Sequence, residues 1–155
     1  MTKICDLYEY INRIAPFETA QNWDNSGLLF GDADLPCHCV LVALDITEDT
    51  VRQAKECGAD LVITHHPVIF RPLSAVSYHT PIAELISSKI SVISAHTNLD
   101  IAVGGVNDAL CRALNLLDLT PVQETPFLKL GTLPVPMKVS EFAVQSARFL
   151  KSDRT

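Results

Sequence analysis

Three short apolar segments in this chain each run into residues able to hold a metal. VLVAL (40–44) leads into Asp45, LVIT (61–64) into His65 and His66, and ISVISA (90–95) into His96, with Asp100 four positions later. Imidazole is the commonest metal ligand at neutral pH. A set of imidazoles with one or two carboxylates suits Zn, Mn, Fe, Ni or Co better than Mg or Ca. One or two such ions per chain are the expected cofactor. The chemistry requires that the three segments end at one place. Neighbouring parallel strands would do this, because open α/β sheets bind ligands outside the carboxyl ends of their strands.

Each candidate has a plainer alternative. Adjacent side chains on a strand point to opposite faces, so His65 and His66 can address one cleft only where the strand breaks. Pro67 places the break there. Otherwise the pair is one core histidine and one exposed histidine. A bend over 96–100 would turn His96 and Asp100 toward one ion, or Asn98 and Asp100 are simple turn formers. Asp45 can orient a histidine, act as a general base or cap the following helix. In the loop Trp23-Asp24-Asn25-Ser26-Gly27, the indole can stack on a planar base, or it is a buried anchor before a turn. Gly104-Gly105 can present backbone N–H groups to an anion or make a tight turn. Cys37-His38-Cys39 alternates in direction and cannot close a tetrahedral site alone, and His79 reads as a solvated loop residue.

The elements that must position these residues are legible from periodicity. Residues 2–14 read as an amphipathic helix with Ile4, Leu7, Tyr8, Ile11 and Ile14 on one face and Thr2 as its cap. Ala15-Pro16 ends it, and 19–32 reads as a loop rich in turn formers. Strands are expected at 39–45, 60–65 and 90–95, alternating with helices at 49–57, 81–88 and 106–115. The strands are apolar throughout, as when both sheet faces are covered. The expected architecture is a single α/β domain over 1–155, an open and largely parallel sheet with helices on both faces. Beyond Leu119 prolines punctuate the chain, with one short strand expected at 127–133 and a last helix at 139–150.

Composition narrows the function classes. The 155 residues are 48% apolar with a net charge of −6, a globular composition. The acidic balance argues against a general nucleic-acid binder, which needs clustered Lys and Arg. No apolar run approaches the ~20 residues that span a bilayer. Asp6 and Glu9 stand where a signal peptide would be basic and then apolar. The cysteines, Cys5, Cys37, Cys39, Cys57 and Cys111, are odd in number and read as reduced thiols. A cytoplasmic location without membrane association is expected.

Three motifs in this order, WDNSGLLFGD (23–32), LVITHHPVIF (61–70) and SAHTNLDIAVGGVNDAL (94–110), resemble the NIF-three-like family, whose members carry the name GTP cyclohydrolase I type II homologue. The likeness extends through GTLPVPMKVSEFA (131–143). It implies an α/β fold, a ring-shaped hexamer and a dinuclear metal centre in each subunit. Its ligand pattern maps onto His65, His66, His96 and Asp100. It makes Trp23, Asp24 and Asn25 cleft-lining residues, and it implies either ring-opening hydrolysis of a purine nucleotide or, as for some members, a role as a protein-interaction partner. In the hydrolase reading Asp45 or Asp24 moves protons, Trp23 stacks on the base, and Gly104 and Gly105 contact the nucleotide. The family's last ligands, a His and a Glu four residues on, have no counterpart: no His follows His96, and the later glutamates are Glu124 and Glu141. Lys129 stands where many members carry Arg. The expectation is therefore a C-terminally shortened family member, holding one ion more weakly or two only with water or buffer ligands, and prone to self-association. The non-catalytic alternative is a metal-binding scaffold.

Overall fold

The structure, a computed structural model, describes residues 1–152. Contacts cluster into two compact units, Met1–Leu99 and Asp100–Thr155, where the sequence reads as one domain.

The first unit opens with α1 (Ile4–Ile14), which buries Ile4 and Ile11. Its start is not capped by Thr2. The Lys3 N–H donates instead to the Asp6 carboxylate at 2.7 Å, a first-turn acid that also suits the helix dipole. The segment expected to be all loop contains β1 (Gly27–Phe30). Its Leu-Leu-Phe run pairs antiparallel with a strand far along the chain, and local turn signals cannot report such pairing. Next come β2 (Val40–Ala43), α2 (Glu48–Glu56), β3 (Leu61–Thr64), α3 (Pro81–Ser87) and β4 (Ser91–Ser94). Thr47 caps α2, accepting from the Thr50 N–H at 3.2 Å. Thr80 caps α3 in the same way, with Pro81 in the first turn, where its missing N–H costs nothing.

The strand order is β1-β4-β3-β2. The strands β2, β3 and β4 are mutually parallel, with Val40, Leu61 and Ser91 in register, and β1 runs antiparallel along β4. Helices cover both faces. Val62 and Val92 point into a core with Val51 and Ala54 of α2 and Leu85 of α3. Leu61 and Ile93 point the other way, onto Ile4 and Ile11 of α1. Uniform burial holds for β3 and β4 and fails for β2. That edge strand buries Leu41 against α2 and α3, while Val42 is 73% exposed.

The short helix α4 (Thr97–Ile101) replaces the expected bend and crosses the boundary between the units. The second unit contains α5 (Val106–Ala113), a hairpin of β5 (Leu117–Val122) and β6 (Thr125–Thr132), and α6 (Val139–Phe149). Where one strand was expected there are two. The apolar content of β5 is broken by Asp118 and Pro121, which hid it from a pattern search. Lys129 pairs with Asp108 at 2.9 Å, and both side chains are largely buried. Among the described residues, no helix is long and apolar enough to cross a membrane.

Gly31 is the tightest backbone approach in the first unit. Its φ is +115°, and a Cβ there would lie 2.1 Å from the Ser91 Oγ and 2.8 Å from the Ser91 Cα. Gly31→Ala is expected to cost about 3 kcal/mol or more, combining overpacking with left-handed strain. The measurement is the urea midpoint at constant m-value.

Candidate metal centre

The parallel strands end together, and the histidines follow directly from their ends. The break after β3 is visible in the backbone. The His65 N–H donates to the Ala43 carbonyl at 3.4 Å and the His66 N–H to the Leu44 carbonyl at 3.0 Å. Consecutive amides of a regular strand face opposite neighbours, so two in a row toward β2 mean that the pleat has ended. The two imidazoles therefore share a side, with ring centroids 4.9 Å apart. His96 follows β4 and completes the group, 5.2 Å from His65 and 5.7 Å from His66 by centroid. One ring nitrogen from each lies within 4.8 Å of the others.

The hydrogen bonds decide which nitrogen is available. His65 Nδ1 is 2.9 Å from the Ala95 carbonyl oxygen. A carbonyl only accepts, so Nδ1 carries the proton and the neutral ring's lone pair lies on Nε2. His66 Nδ1 meets Asp45 Oδ1 at 2.7 Å. His96 Nδ1 meets Asp24 Oδ1 at 2.9 Å. Ionised carboxylates also only accept, so in all three rings Nδ1 is the donor of the bond described. A metal-ligating histidine is normally held this way by its second nitrogen. The donor set fits a borderline divalent ion: three imidazoles close together, with His66 exposed and the other two half-buried.

Asp24 is the most heavily bonded group of the site. Its side chain is fully buried. Oδ1 accepts from the Asn25 N–H at 2.7 Å as well as from His96. Oδ2 accepts from the Ser26 hydroxyl at 2.8 Å, the Thr97 N–H at 3.1 Å and the Thr97 hydroxyl. Burial pushes the carboxyl pKa up, but the bonds from Thr97, His96 and Ser26 outweigh it and hold the pKa at about 2. Asp45 takes the orienting alternative. Its carboxylate holds His66, and the cap of α2 comes from Thr47.

The remaining candidates divide. Trp23 is exposed, and its ring lies edge-on to His96 with centroids 6.4 Å apart. The Asn25 side chain bonds to backbone: its amide donates to the Ile69 carbonyl at 2.5 Å, tying the 19–26 loop to the 66–79 loop. Asn98 is no turn former. It is buried, and its amide donates to the Ala15 carbonyl at 2.7 Å. Asp100 stands in α4 and is not one of the clustered three. In the second unit the Gly104 N–H donates to the Asp108 carboxylate at 2.8 Å, and Gly105 caps α5. Ser26, Thr97 and Phe70 were missed. Ser26 and Thr97 flank Asp24 and His96 in sequence, the only available hint. Phe70, 6.4 Å from the His96 ring, gives no sign in the sequence that its loop returns to the site.

A four-stranded α/β sheet with a histidine triad at its carboxyl edge defines a class: an α/β protein with a metal-compatible strand-end site. The chain belongs to the Duf34/NIF3 (NGG1p interacting factor 3) family, whose model matches residues 2–154. It is 41% identical over 135 residues to the GTP cyclohydrolase 1 type 2 homolog of Staphylococcus aureus strain Mu50, covering 84% of this chain and 37% of that protein. It is 40% identical over 129 residues to the protein of the same name from Clostridium perfringens, covering 77% and 49%. A crystal structure of an S. aureus protein superposes with a TM-score of 0.74 at 39% identity, over 78% of this chain and 36% of that one. Reduced HcgD from Methanocaldococcus jannaschii does so with a TM-score of 0.83 at 30% identity, over 95% and 60%. The chain thus spans less than half the length of these curated relatives.

Because Asp24 is lowered from 3.8 to about 2 in the folded chain, it stabilises the fold above pH ~4. That contribution is lost as pH falls from there to about 2. In the metal-free chain, Asp24→Asn is expected to cost about 2 kcal/mol at pH 7. The gap from the parent should close as the pH drops through this window, as read by denaturant titration at several pH values.

Proposed function

We propose that this chain carries the imidazole-rich part of a divalent-metal site and that the protein it represents is a metal-dependent hydrolase of a purine nucleotide. The observation that carries the reading is the common commitment of the three Nδ1 atoms, to Ala95, Asp45 and Asp24. One ring nitrogen from each of the three lies within 4.8 Å of the others. Asp100 is assigned as a further ligand on the family pattern. A divalent ion bound there supplies Lewis acidity and lowers the pKa of water toward neutrality.

The chain's own residues have separable roles. His65, His66 and His96 bind. The Ala95 carbonyl, Asp45 and Asp24 fix the tautomer and orientation of the rings. Asp24 stays ionised and has its oxygens filled by five donors, so it positions His96 and moves no proton at neutral pH. The residue assigned to proton movement is Asp45, which is half-exposed beside His66. The name of its relatives, GTP cyclohydrolase 1 type 2 homolog, supports a purine nucleotide as the substrate, and hydrolytic ring opening at C8 is the reaction assigned.

Three imidazoles and one carboxylate hold one ion with open positions. A second ion about 3.5–4 Å away needs bridging carboxylates to offset the repulsion. One ion per chain is the assigned stoichiometry, with Zn, Mn, Fe, Ni or Co as candidates. A second reading, a non-catalytic metal scaffold that engages copies of itself or another protein, is favoured by one feature. The edge strand β2 leaves Val42 and the following Leu44 exposed, an apolar row that monomers seldom leave open.

The test is metal analysis after dialysis, followed by incubation with GTP and Mn or Zn while the ultraviolet spectrum is recorded. About one equivalent of metal and a changing purine spectrum are expected. Combining His65→Ala with His96→Ala should abolish both while leaving the far-ultraviolet dichroism intact. Two tightly held ions would overturn the stoichiometry. An unchanged spectrum with metal bound would transfer the assignment to the scaffold reading.

A further inference from the structure

Two large aromatic rings stand in water beside the histidine triad, and the core does not require either of them. Trp23 is 57% exposed and Phe70 is 43% exposed. Their centroids are 5.9 Å apart and their planes are tilted by 55°. Each lies 6.4 Å from the His96 ring and meets it edge-on, at 77° and 81°. The two rings come from different loops, and both loops are tied down at the point that matters. The Asn25 amide bonds to the carbonyl of Ile69, the residue before Phe70. Val68 packs into the core under α2 and α3. Asp24, next to Trp23, is bonded to His96 and Thr97. Exposed aromatic surface forgoes hydrophobic stabilisation. Here it is held in place by part-buried hydrogen bonds from both loops.

We infer that Trp23 and Phe70 form an aromatic corner that takes one face and one edge of a planar heterocycle and delivers it to the His96 side of the triad. The geometry excludes a sandwich. A base between two parallel rings needs about 7 Å from ring to ring, whereas these are closer and strongly tilted. A corner stacks the base on one ring and meets its edge with the other, the offset and edge-to-face arrangements that aromatic quadrupoles favour. Neither ring offers a charge or a hydrogen-bond acceptor. The corner therefore recognises the ring of a nucleotide and not its sugar or phosphate, and it works without metal. The class of heterocycle, a purine, rests on the hydrolase reading; the corner itself does not.

The chain contains one tryptophan, so its fluorescence reports directly on the corner. The full chain is titrated with guanosine 5′-monophosphate and separately with ribose 5-phosphate, each with excess chelator and again with Zn. Saturable quenching by the nucleotide under both conditions, and none by the sugar phosphate, is the expected result. Phe70→Leu keeps the apolar volume and removes the π-face. It should raise the Kd at least about fivefold, the low end of what base–aromatic stacking supplies. Far-ultraviolet dichroism checks the fold of this variant, and Phe70→Trp should restore binding. Equal quenching by ribose 5-phosphate, quenching that needs Zn, no quenching at all, or an unchanged Kd in Phe70→Leu would each overturn the corner. The two proposals fail separately. Absent quenching with intact metal uptake removes the corner and leaves the hydrolase reading. Quenching by the nucleotide in a parent chain that takes up no metal, or that binds metal and leaves the purine spectrum unchanged, keeps the corner and removes the hydrolase.

Discussion

The first unit's site depends on keeping one carboxylate ionised out of water. Asp24 is fully buried, and the effective cost of burying an unpaired charge is several kcal/mol. Five donors offset it: the N–H groups of Asn25 and Thr97, the hydroxyls of Ser26 and Thr97, and the His96 ring. These donors come from the two residues that follow Asp24 in its own loop and from the end of β4. Satisfying the charge thus fastens the 19–26 loop to the sheet edge, sets the tautomer of one imidazole and places Trp23 beside it. Remove the charge and the reason for each of these placements goes with it.

The other two imidazoles obey the same rule with different partners. A backbone carbonyl holds His65 and a half-exposed carboxylate holds His66. The three supports differ in exposure, and their expected behaviour differs accordingly. Ala95 is part of the sheet edge and cannot titrate. Asp24 is sealed. Asp45 is half-exposed to water. The site is thus stiff on the β4 side and open on the β2 side, which is also the edge where the apolar face of β2 remains uncovered.

Much of the architecture was legible because the helix and strand periods differ. The apolar runs at 40–44, 61–64 and 90–95, separated by capped amphipathic helices, leave little choice but parallel strands with helices on both faces. Thr47 and Pro81 mark helix starts and Gly58 a helix end through their own chemistry. β1 was not legible. Gly27–Phe30 is embedded in turn formers, and its status as a strand comes from pairing with β4 across more than sixty residues of chain. β5 was hidden by Asp118 and Pro121, and a pattern of this kind is only resolved by its hairpin partner. Burial of β2 was misjudged because an edge position cannot be read from the strand's own residues.

The amino-acid order alone determined that His65, His66 and His96 follow strand ends and that Pro67 breaks the first of these strands. Parallel pairing then brings such residues to one edge. It could not determine how each ring is turned, because the turning groups are remote in the chain: Asp45 lies 21 residues from His66 and Asp24 lies 72 from His96. Nor could it bring Phe70 to Trp23, since that approach depends on a bond between an Asn25 side chain and a carbonyl 44 residues away. Spacing along a strand is a local property and survives in the sequence. Hydrogen-bond partners between loops are a property of the closed sheet, and only the folded chain assigns them.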